Sequence, residues 1–471
     1  MLAAASLLTI ATLGGLVAGF AREWLLVASW GASARTDAFV IAMFLPEAVR
    51  TMLAAGVFTS SALSLWQARD AAARRRWFAQ INFILLIGSV LLAALGSFGA
   101  GLLVQVLAPG LSPTDRQQAA QALAVLAWSL PAIVLQAWWA VPRHAAGRFL
   151  LAAMASLAYN LPALLYLAWR RSEAEVVPLS WAFVAGSVIA ALLLLPSAWR
   201  AGMADVRLQG LALAWREWMG RLTPLLGSAL AGQGLTLLER IVASYLGEGV
   251  VTAVNLARKL MNLPLIALQS LNQVLLSLMS RQQRERVRLL RGGLAAVTLV
   301  SLPASLGLVL ATPAVMHLLF PKVHGVDLIV PLLGGYAAIL VLAGWNTLLA
   351  RYHYAEGDTR GPLMAELGGS LIQALAMPLL AWWWGPVGLV AALMAGTLLT
   401  GQLLLREPAL QAGLGLRAQG LVCAAVLACA WWWGRPLMPL DTWPMLGVAS
   451  ALSVLSLVLL AAWLRPWRRA A

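Results

Sequence analysis

Long apolar runs constrain this chain more than any other feature of its sequence. Residues 84–109 and 446–464 contain no charged side chain, and each run reaches the roughly 18 residues that indicate a membrane-spanning helix. Lipid cannot satisfy backbone polar groups, so such runs fold as helices. Only 11% of the residues are charged, against about a quarter in soluble domains. The sequence therefore predicts an all-α polytopic membrane protein and excludes a soluble globular domain.

The spacing of charged and Pro/Gly-rich breaks divides the apolar sequence into segments of membrane-spanning length. About fourteen transmembrane helices are predicted in this way. The predicted spans are 3–21, 37–66, 80–108, 118–141, 149–169, 178–199, 222–246, 250–279, 293–320, 328–350, 362–383, 386–405, 418–434 and 443–464.

The formal net charge of +15 is large. In a soluble protein it would indicate nucleic acid, but in a membrane protein the positive-inside rule accounts for it. Most arginines fall in the loops after even-numbered spans and in the tail after residue 464. This bias predicts that both termini lie in the cytoplasm, and no nucleic-acid partner is expected.

Two polar stretches, 200–221 and 280–292, separate groups of spans. Transporters commonly consist of two repeated bundles. We therefore predict two six-helix lobes followed by a helix pair. The predicted parts are an N-lobe at 1–200, a cytoplasmic linker at 201–221, a C-lobe at 222–405, and a C-terminal helix pair with a basic tail at 406–471.

Charged residues inside spans mark the first candidate site. Glu47 and Arg50 lie three residues apart, on one helical face directly after Pro46. A charge at a helix centre costs roughly 2.5–3.5 kcal/mol on insertion scales, so such residues normally face a bundle interior or a wet cavity. One interpretation is a polar transport pathway; the alternative is a pair that neutralises itself.

A second group of polar residues opens the eighth predicted span. Arg258 and Asn262 share a face, with Lys259 beside them. Two adjacent cations with an amide suit a large anion such as pyrophosphate, because guanidinium offers bidentate donors. The alternative is that both cations lie at the membrane surface and extend toward lipid headgroups.

Several motifs of soluble chemistry are missing from the sequence. It contains no Walker A motif, no HExxH zinc motif and no GxSxG elbow. Cys423 and Cys429 lie in one apolar segment, beyond disulfide reach on a single helix. The chain is therefore predicted to be a transporter rather than an enzyme, without metal or cofactor.

Two segments resemble a known family. GFAREWLLVASWGASARTDAFVIAMFLPEAVRTMLAAGVF at 19–58 is similar to the N-terminal signature of the MurJ/MviN lipid II flippases, and ERIVASYLGEGVVTAVNLARKLMNLP at 239–264 to a second stretch of that family. The resemblance implies fourteen helices in two lobes, within the multidrug/oligosaccharidyl-lipid/polysaccharide exporter superfamily.

The resemblance also implies a function and a set of site residues. Family members move an undecaprenyl-pyrophosphate-linked sugar, a peptidoglycan precursor, across the bacterial inner membrane through a cationic cavity. By position, Arg22 and Arg50 match cavity arginines, Asp37 matches the TDAF aspartate, and Lys259 falls at a family arginine. Glu239 falls where some members have an acidic sodium ligand.

The sequence departs from the family pattern at five cavity positions. These are Leu16, where the family has arginine, Glu47 where it has asparagine, Ala55 where it has glutamate, and Arg258 and Asn262 where it has acidic residues. A cationic but rearranged cavity is expected, which leaves the identity of the transported sugar open.

The leading hypothesis is a lipid-linked oligosaccharide flippase with a substrate cavity formed by Arg22, Asp37, Glu47, Arg50, Arg258, Lys259 and Asn262. Glu239 is the candidate for binding a coupling cation. The expected partners are the lipid-linked saccharide, the bilayer and glycan synthesis enzymes. The alternatives are an exopolysaccharide repeat-unit flippase, an exporter of small drugs, and a non-transporting membrane component or intramembrane polymerase of a glycan assembly complex.

Overall fold

A computed structural model describes most of the chain. The described residues are 2–54, 56–206, 208–262, 275, 279, 285–321, 328–358, 360–406, 410, 414, 416–437 and 441–464. All regular structure within them is helical, and eleven of these helices are long and apolar enough to cross a membrane. The all-α polytopic membrane class is thus confirmed, while the count of fourteen spans stays a prediction. The predicted basic tail, at 465–471, lies outside the described residues.

The chain forms two compact units, 1–251 and 252–471. Unit 1 contains α1 (Leu2–Trp30), α2 (Ala34–Ala42), α3 (Phe44–Ala54), α4 (Val57–Gln67), α5 (Ala71–Phe98), α6 (Ala100–Leu107), α7 (Pro113–Leu126), α8 (Leu130–Ala145), α9 (Leu150–Arg170), α10 (Val176–Leu192), α11 (Leu195–Arg200) and α12 (Leu211–Ser244). Helix α13, at 250–262, begins at the boundary. Unit 2 continues with α14 (Arg286–Leu319), α15 (Ile329–Glu356), α16 (Arg360–Trp384), α17 (Pro386–Leu404), α18 (Leu416–Leu437) and α19 (Thr442–Leu464). The four-part division made from the sequence stays a prediction.

The first helix is longer than its apolar pattern indicates. The predicted end at residue 21 is wrong, because α1 continues to Trp30 and stops before Gly31, which has a φ of +73°. The polar pair Arg22–Glu23 interrupts the hydropathy but not the helix, and apolar residues follow it. Arg22 therefore lies within a membrane span, not in a loop.

The second predicted span consists of three consecutive helices. Ser33 caps α2 by accepting a hydrogen bond from the Thr36 backbone N–H. The helix is interrupted at Met43, one turn before Pro46, because proline lacks the N–H that would bond to the preceding turn. Gly56, with a φ of +83°, separates α3 from α4. Because of these breaks, Glu47 and Arg50 lie on a short helix of their own, separate from α2 and α4.

An aromatic core joins α4, α5, α8 and the first half of α12. The Trp138 ring stacks on Phe78 with centroids 5.2 Å apart, and Trp218 packs at 5.0 Å from Trp138 and 5.1 Å from Phe58. The Trp218 indole N–H donates to Ser61 Oγ at 2.9 Å, so its one polar group is satisfied. Because buried aromatic residues contribute strongly to packing, this core holds the start of α12 within unit 1.

In unit 2, α16 and α17 form a close antiparallel pair joined at Gly385. A side chain at Gly369 would collide with Thr400 and with the Gly396 carbonyl, so the two backbones need glycine to approach.

In the connection before α16, Asp358 accepts hydrogen bonds from the backbone N–H groups of Arg360 and Gly361, both at 2.9 Å. These donors, Gly361 first, hold the pKa of the Asp358 carboxyl below its ordinary value.

Candidate functional site

Arg22 is the most enclosed cation among the described residues of unit 1. The residue is 3% exposed, and its guanidinium donates to Asn160 Oδ1 at 2.9 Å and pairs with Glu23 on the same helix. Its charge lies 4.8 Å from the centroid of the Phe183 ring. A buried charge is tolerated only when it is paired and hydrogen-bonded, and Arg22 meets both conditions.

Glu47 connects Arg22 to the second arginine of the site. Its Oε1 atom lies 3.8 Å from Arg22 Nη2 and 3.9 Å from Arg50 Nη2. The Arg50 guanidinium lies over the Tyr159 ring, 4.6 Å from its centroid. The Arg50 side chain is 26% exposed, against 16% for Glu47. Arg50 is therefore the cation of this group that a ligand could reach most easily.

We call Arg22, Glu23, Glu47 and Arg50 the N-unit ionic cluster. It contains two cations and two carboxylates, so its formal charge is balanced. The cationic cavity expected from the sequence also includes Arg258 and Lys259, and it stays a prediction. The self-neutralising Glu47–Arg50 pair considered from the sequence is present, in a larger group that includes Arg22 and Glu23. An anion that binds Arg50 must compete with Glu47.

Helix α9 and helix α10 supply the other contacts of the cluster. Tyr159 and Asn160 come from α9 and Phe183 from α10, and all three are buried. Gly186 lets the two helices approach closely at this level, because a side chain at that position would collide with the Tyr159 carbonyl. The sequence reasoning missed Glu23, Tyr159, Asn160 and Phe183. Polar residues in an apolar run signalled the first three, whereas nothing local distinguishes Phe183.

Asp37 lies outside this cluster. It is 1% exposed and its Oδ2 atom accepts a hydrogen bond of 2.7 Å from the backbone N–H of Gly249. Gly249 has a φ of +80°, and a side chain there would collide with the Ala32 carbonyl. The contact ties the start of α2 to the turn after α12. The structure thus gives Asp37 a role in holding backbone segments, and its membership of a substrate site stays a prediction.

Replacing Asp37 by Asn is expected to lower the free energy of unfolding by about 1 kcal/mol, because hydrogen bonds to charged groups contribute about 1.5–3 kcal/mol and neutral ones about 0.5–1.5. Thermal unfolding of the purified variant would measure this. Transport should fall no further than the decrease in folded protein explains. Complete loss of transport at an unchanged unfolding temperature would instead place Asp37 among the residues that contact substrate.

Glu239 and Arg240 lie on α12. Glu239 is 1% exposed. The Arg240 guanidinium donates to the Val40 carbonyl at 2.6 Å and lies 4.8 Å from the centroid of the Phe44 ring. Arg240 therefore fastens the second half of α12 to α2 and α3. The assignment of Glu239 to a coupling cation stays a prediction.

The remaining predicted site residues are on α13. Arg258 and Lys259 are partly buried, whereas Asn262 is exposed. The Arg258 guanidinium lies 5.7 Å from the centroid of the Tyr336 ring of α15. The predicted site is thus divided: Arg22, Asp37 and the other N-terminal members belong to unit 1, and these three belong to unit 2.

Among the described residues, no group of three or more His, Cys, Asp or Glu side chains could hold a metal ion. The prediction that the protein needs no cofactor stays untested.

Eleven described helices of membrane-spanning length and composition, together with a buried ionic cluster in unit 1, are typical of a multi-pass membrane transporter. A family model described as "Lipid II flippase MurJ" matches residues 26–456. The chain belongs to this family, which confirms the resemblance found in its two sequence segments. It is accordingly a transporter and not an enzyme.

Individual proteins agree with this assignment. The chain is 28% identical over 450 residues to the "Lipid II flippase MurJ" of Burkholderia cenocepacia, covering 88% of this chain and 84% of that protein. The fold matches a solved "Lipid II flippase MurJ, inward closed conformation" with a TM-score of 0.81 and 16% identity, over 98% of this chain and 99% of that one. It also matches an inward-facing multidrug resistance MATE family transporter of the MOP superfamily, with a TM-score of 0.67 and 15% identity, over 90% and 94% of the two chains.

Proposed function

We propose that this protein is a lipid II flippase, which moves the undecaprenyl-pyrophosphate-linked peptidoglycan precursor from the inner to the outer leaflet of the bacterial cytoplasmic membrane. The observation that carries the proposal is Arg50, a partly exposed guanidinium held inside the apolar helices of a chain that matches this family over residues 26–456. A guanidinium binds phosphate oxygens through two parallel hydrogen bonds.

In the proposed mechanism, the substrate pyrophosphate replaces Glu47 as the partner of Arg50. The Glu47 contact is open to such exchange because its oxygen lies 3.9 Å from Arg50 Nη2, longer than a direct charge-assisted hydrogen bond of about 2.7–2.9 Å. Glu47 keeps a contact to Arg22 when Arg50 turns to the substrate. Arg258, Lys259 and Asn262 of unit 2 are the further residues proposed to bind the substrate, and transport is proposed to occur by alternating access.

The energy source and the orientation are part of the same proposal. Moving one charge across 100 mV contributes about 2.3 kcal/mol, so membrane potential or a cation bound near Glu239 could drive the cycle. Both termini are proposed to face the cytoplasm, as the distribution of arginines indicates. Glycan synthesis enzymes on that side would supply the substrate.

The proposal is tested by depleting the lipid II flippase of a bacterial cell and supplying this protein in its place. We expect survival, with lipid II reaching the outer leaflet. Immunoblotting of the membrane fraction establishes that the protein is present, and an empty vector is the control. Lysis despite normal membrane levels would reject lipid II as the substrate. Loss of surface polysaccharide in a deletion strain would then identify an exopolysaccharide repeat unit.

A further inference from the structure

A cavity of about 160 Å³ lies beside Arg50 within unit 1. It is lined by residues of α3, α4, α8 and α9 and by Gly56 between α3 and α4. Its polar lining residues are Arg50, Thr59, Gln136, His144, Ser156 and Tyr159. The rest of its wall is apolar, with Leu53 and Ile133 among the side chains. The cavity is therefore polar on one side only, next to the ionic cluster.

Several polar groups of this cavity lack intramolecular partners. The Arg50 Nε atom is buried and forms no hydrogen bond with the described residues. Neither the Gln136 amide nor the Tyr159 hydroxyl forms one within the described part of the chain. Thr59 and His144, by contrast, share a hydrogen bond of 2.9 Å. The Gln136 amide and the Tyr159 hydroxyl are therefore the cavity groups that are available to a ligand.

The size of the cavity limits that ligand. One water molecule needs roughly 10–15 Å³ of such space, so the cavity could hold far more than one water. Sites for drug-sized molecules are larger, about 300–1,000 Å³. A group of the size of one sugar ring therefore fits within it.

Charge gives the chemical class. No carboxylate lines the cavity among the described residues, and the charge of Arg50 is already balanced by Glu47. The groups left to bind a ligand are an amide and hydroxyls. These select uncharged hydroxyl and amide groups, which an amino sugar carries.

We propose that this cavity is a subsite for the sugar residue that is attached directly to the pyrophosphate. The inference rests on the proposed function. Arg50 links the two parts of the site, because its Nη2 atom lies 3.9 Å from Glu47, where the pyrophosphate would bind, while the residue also forms part of the cavity wall. Gln136 is the residue that distinguishes a glycosylated lipid from the bare lipid pyrophosphate.

The test measures binding of two lipids to the purified full-length protein by native mass spectrometry. The probes are lipid II and sugar-free undecaprenyl pyrophosphate. Gln136→Leu keeps the side-chain size but removes its hydrogen bonds, which contribute about 0.5–1.5 kcal/mol each. We expect the variant to bind lipid II about 3- to 10-fold more weakly and the sugar-free lipid as the native protein does. Tyr159→Phe should act in the same direction.

Gln105→Leu on α6 is the matched control, since Gln105 is exposed and is not part of the cavity wall. Unchanged lipid II binding in both Gln136→Leu and Tyr159→Phe would overturn the sugar subsite and leave the flippase proposal intact. Equal weakening for both lipids would also overturn it, because the defect would not concern sugar. Failure of the native protein to bind either lipid would overturn the proposed function and this inference together.

Discussion

Replacing Arg22 by Ala is expected to destabilise unit 1 by about 3–5 kcal/mol, the cost of breaking a buried ion pair by removing one partner. The variant would leave Glu23, whose side chain is 2% exposed, without its arginine. It would also remove the donor to Asn160 and the cation beside the Phe183 ring. Thermal unfolding of the detergent-purified protein would report the loss, together with a lower yield of folded protein.

Two further variants separate this effect from general damage. Arg22→Ala combined with Glu23→Ala should be less destabilised than the sum of the two single changes, because the double variant also lacks the buried carboxylate that pairs with Arg22. Arg170→Ala is the matched control, since the Arg170–Glu173 pair is exposed and surface pairs contribute about 0–1 kcal/mol. Native-like unfolding of Arg22→Ala would show that the cluster does not stabilise the unit.

The balance of charge in the cluster explains why the two arginines are not equivalent. The family resemblance predicts that both line the cavity, but Arg22 is enclosed by Glu23, Asn160 and an aromatic ring. Arg50 has one carboxylate contact, at 3.9 Å, and a partly exposed side chain. Arg22 therefore holds Glu47 in place, and Arg50 is the group that can exchange partners.

Hydropathy predicts the helical class well because long apolar runs have few alternatives in lipid. It predicts helix ends poorly where charges are paired inside the fold. The sequence placed the end of the first span just before Arg22 and Glu23, because each charge lowers the hydropathy averaged over a sequence window. In the structure the two charges pair with each other inside the helix. For the same reason, averaged hydropathy did not indicate that Glu23 belongs to the site.

Contacts between residues far apart in the chain could not be predicted from the local sequence pattern. Asp37 is a conspicuous acidic residue in an apolar span, and sequence reasoning placed it in the substrate cavity. Its observed partner, the backbone N–H of Gly249, carries no side-chain signal and lies 212 residues away. The cavity beside Arg50 likewise depends on how α3, α4, α8 and α9 pack, which no single segment encodes.

Replacing Arg50 by Ala is expected to abolish transport while the protein still inserts and folds. Its partner Glu47 keeps Arg22 within 3.8 Å, so the change does not leave an isolated buried carboxylate. Truncating one member of a charge pair that forms with a ligand typically costs about 2–5 kcal/mol, which is a loss of substrate affinity of at least about 30-fold. The complementation assay, scored with the outer-leaflet level of lipid II, would measure it.

Arg50→Lys distinguishes geometry from charge at this position. Lysine keeps the positive charge but cannot form two parallel hydrogen bonds to phosphate, so transport should be only partly restored. Full activity of the lysine variant would show that charge alone suffices. Normal export by Arg50→Ala, at native membrane levels and with a native unfolding temperature, would remove Arg50 from the substrate site. The search for the pyrophosphate partner would then move to Arg258 and Lys259 of unit 2, the other cations that the sequence places inside a span beside an amide.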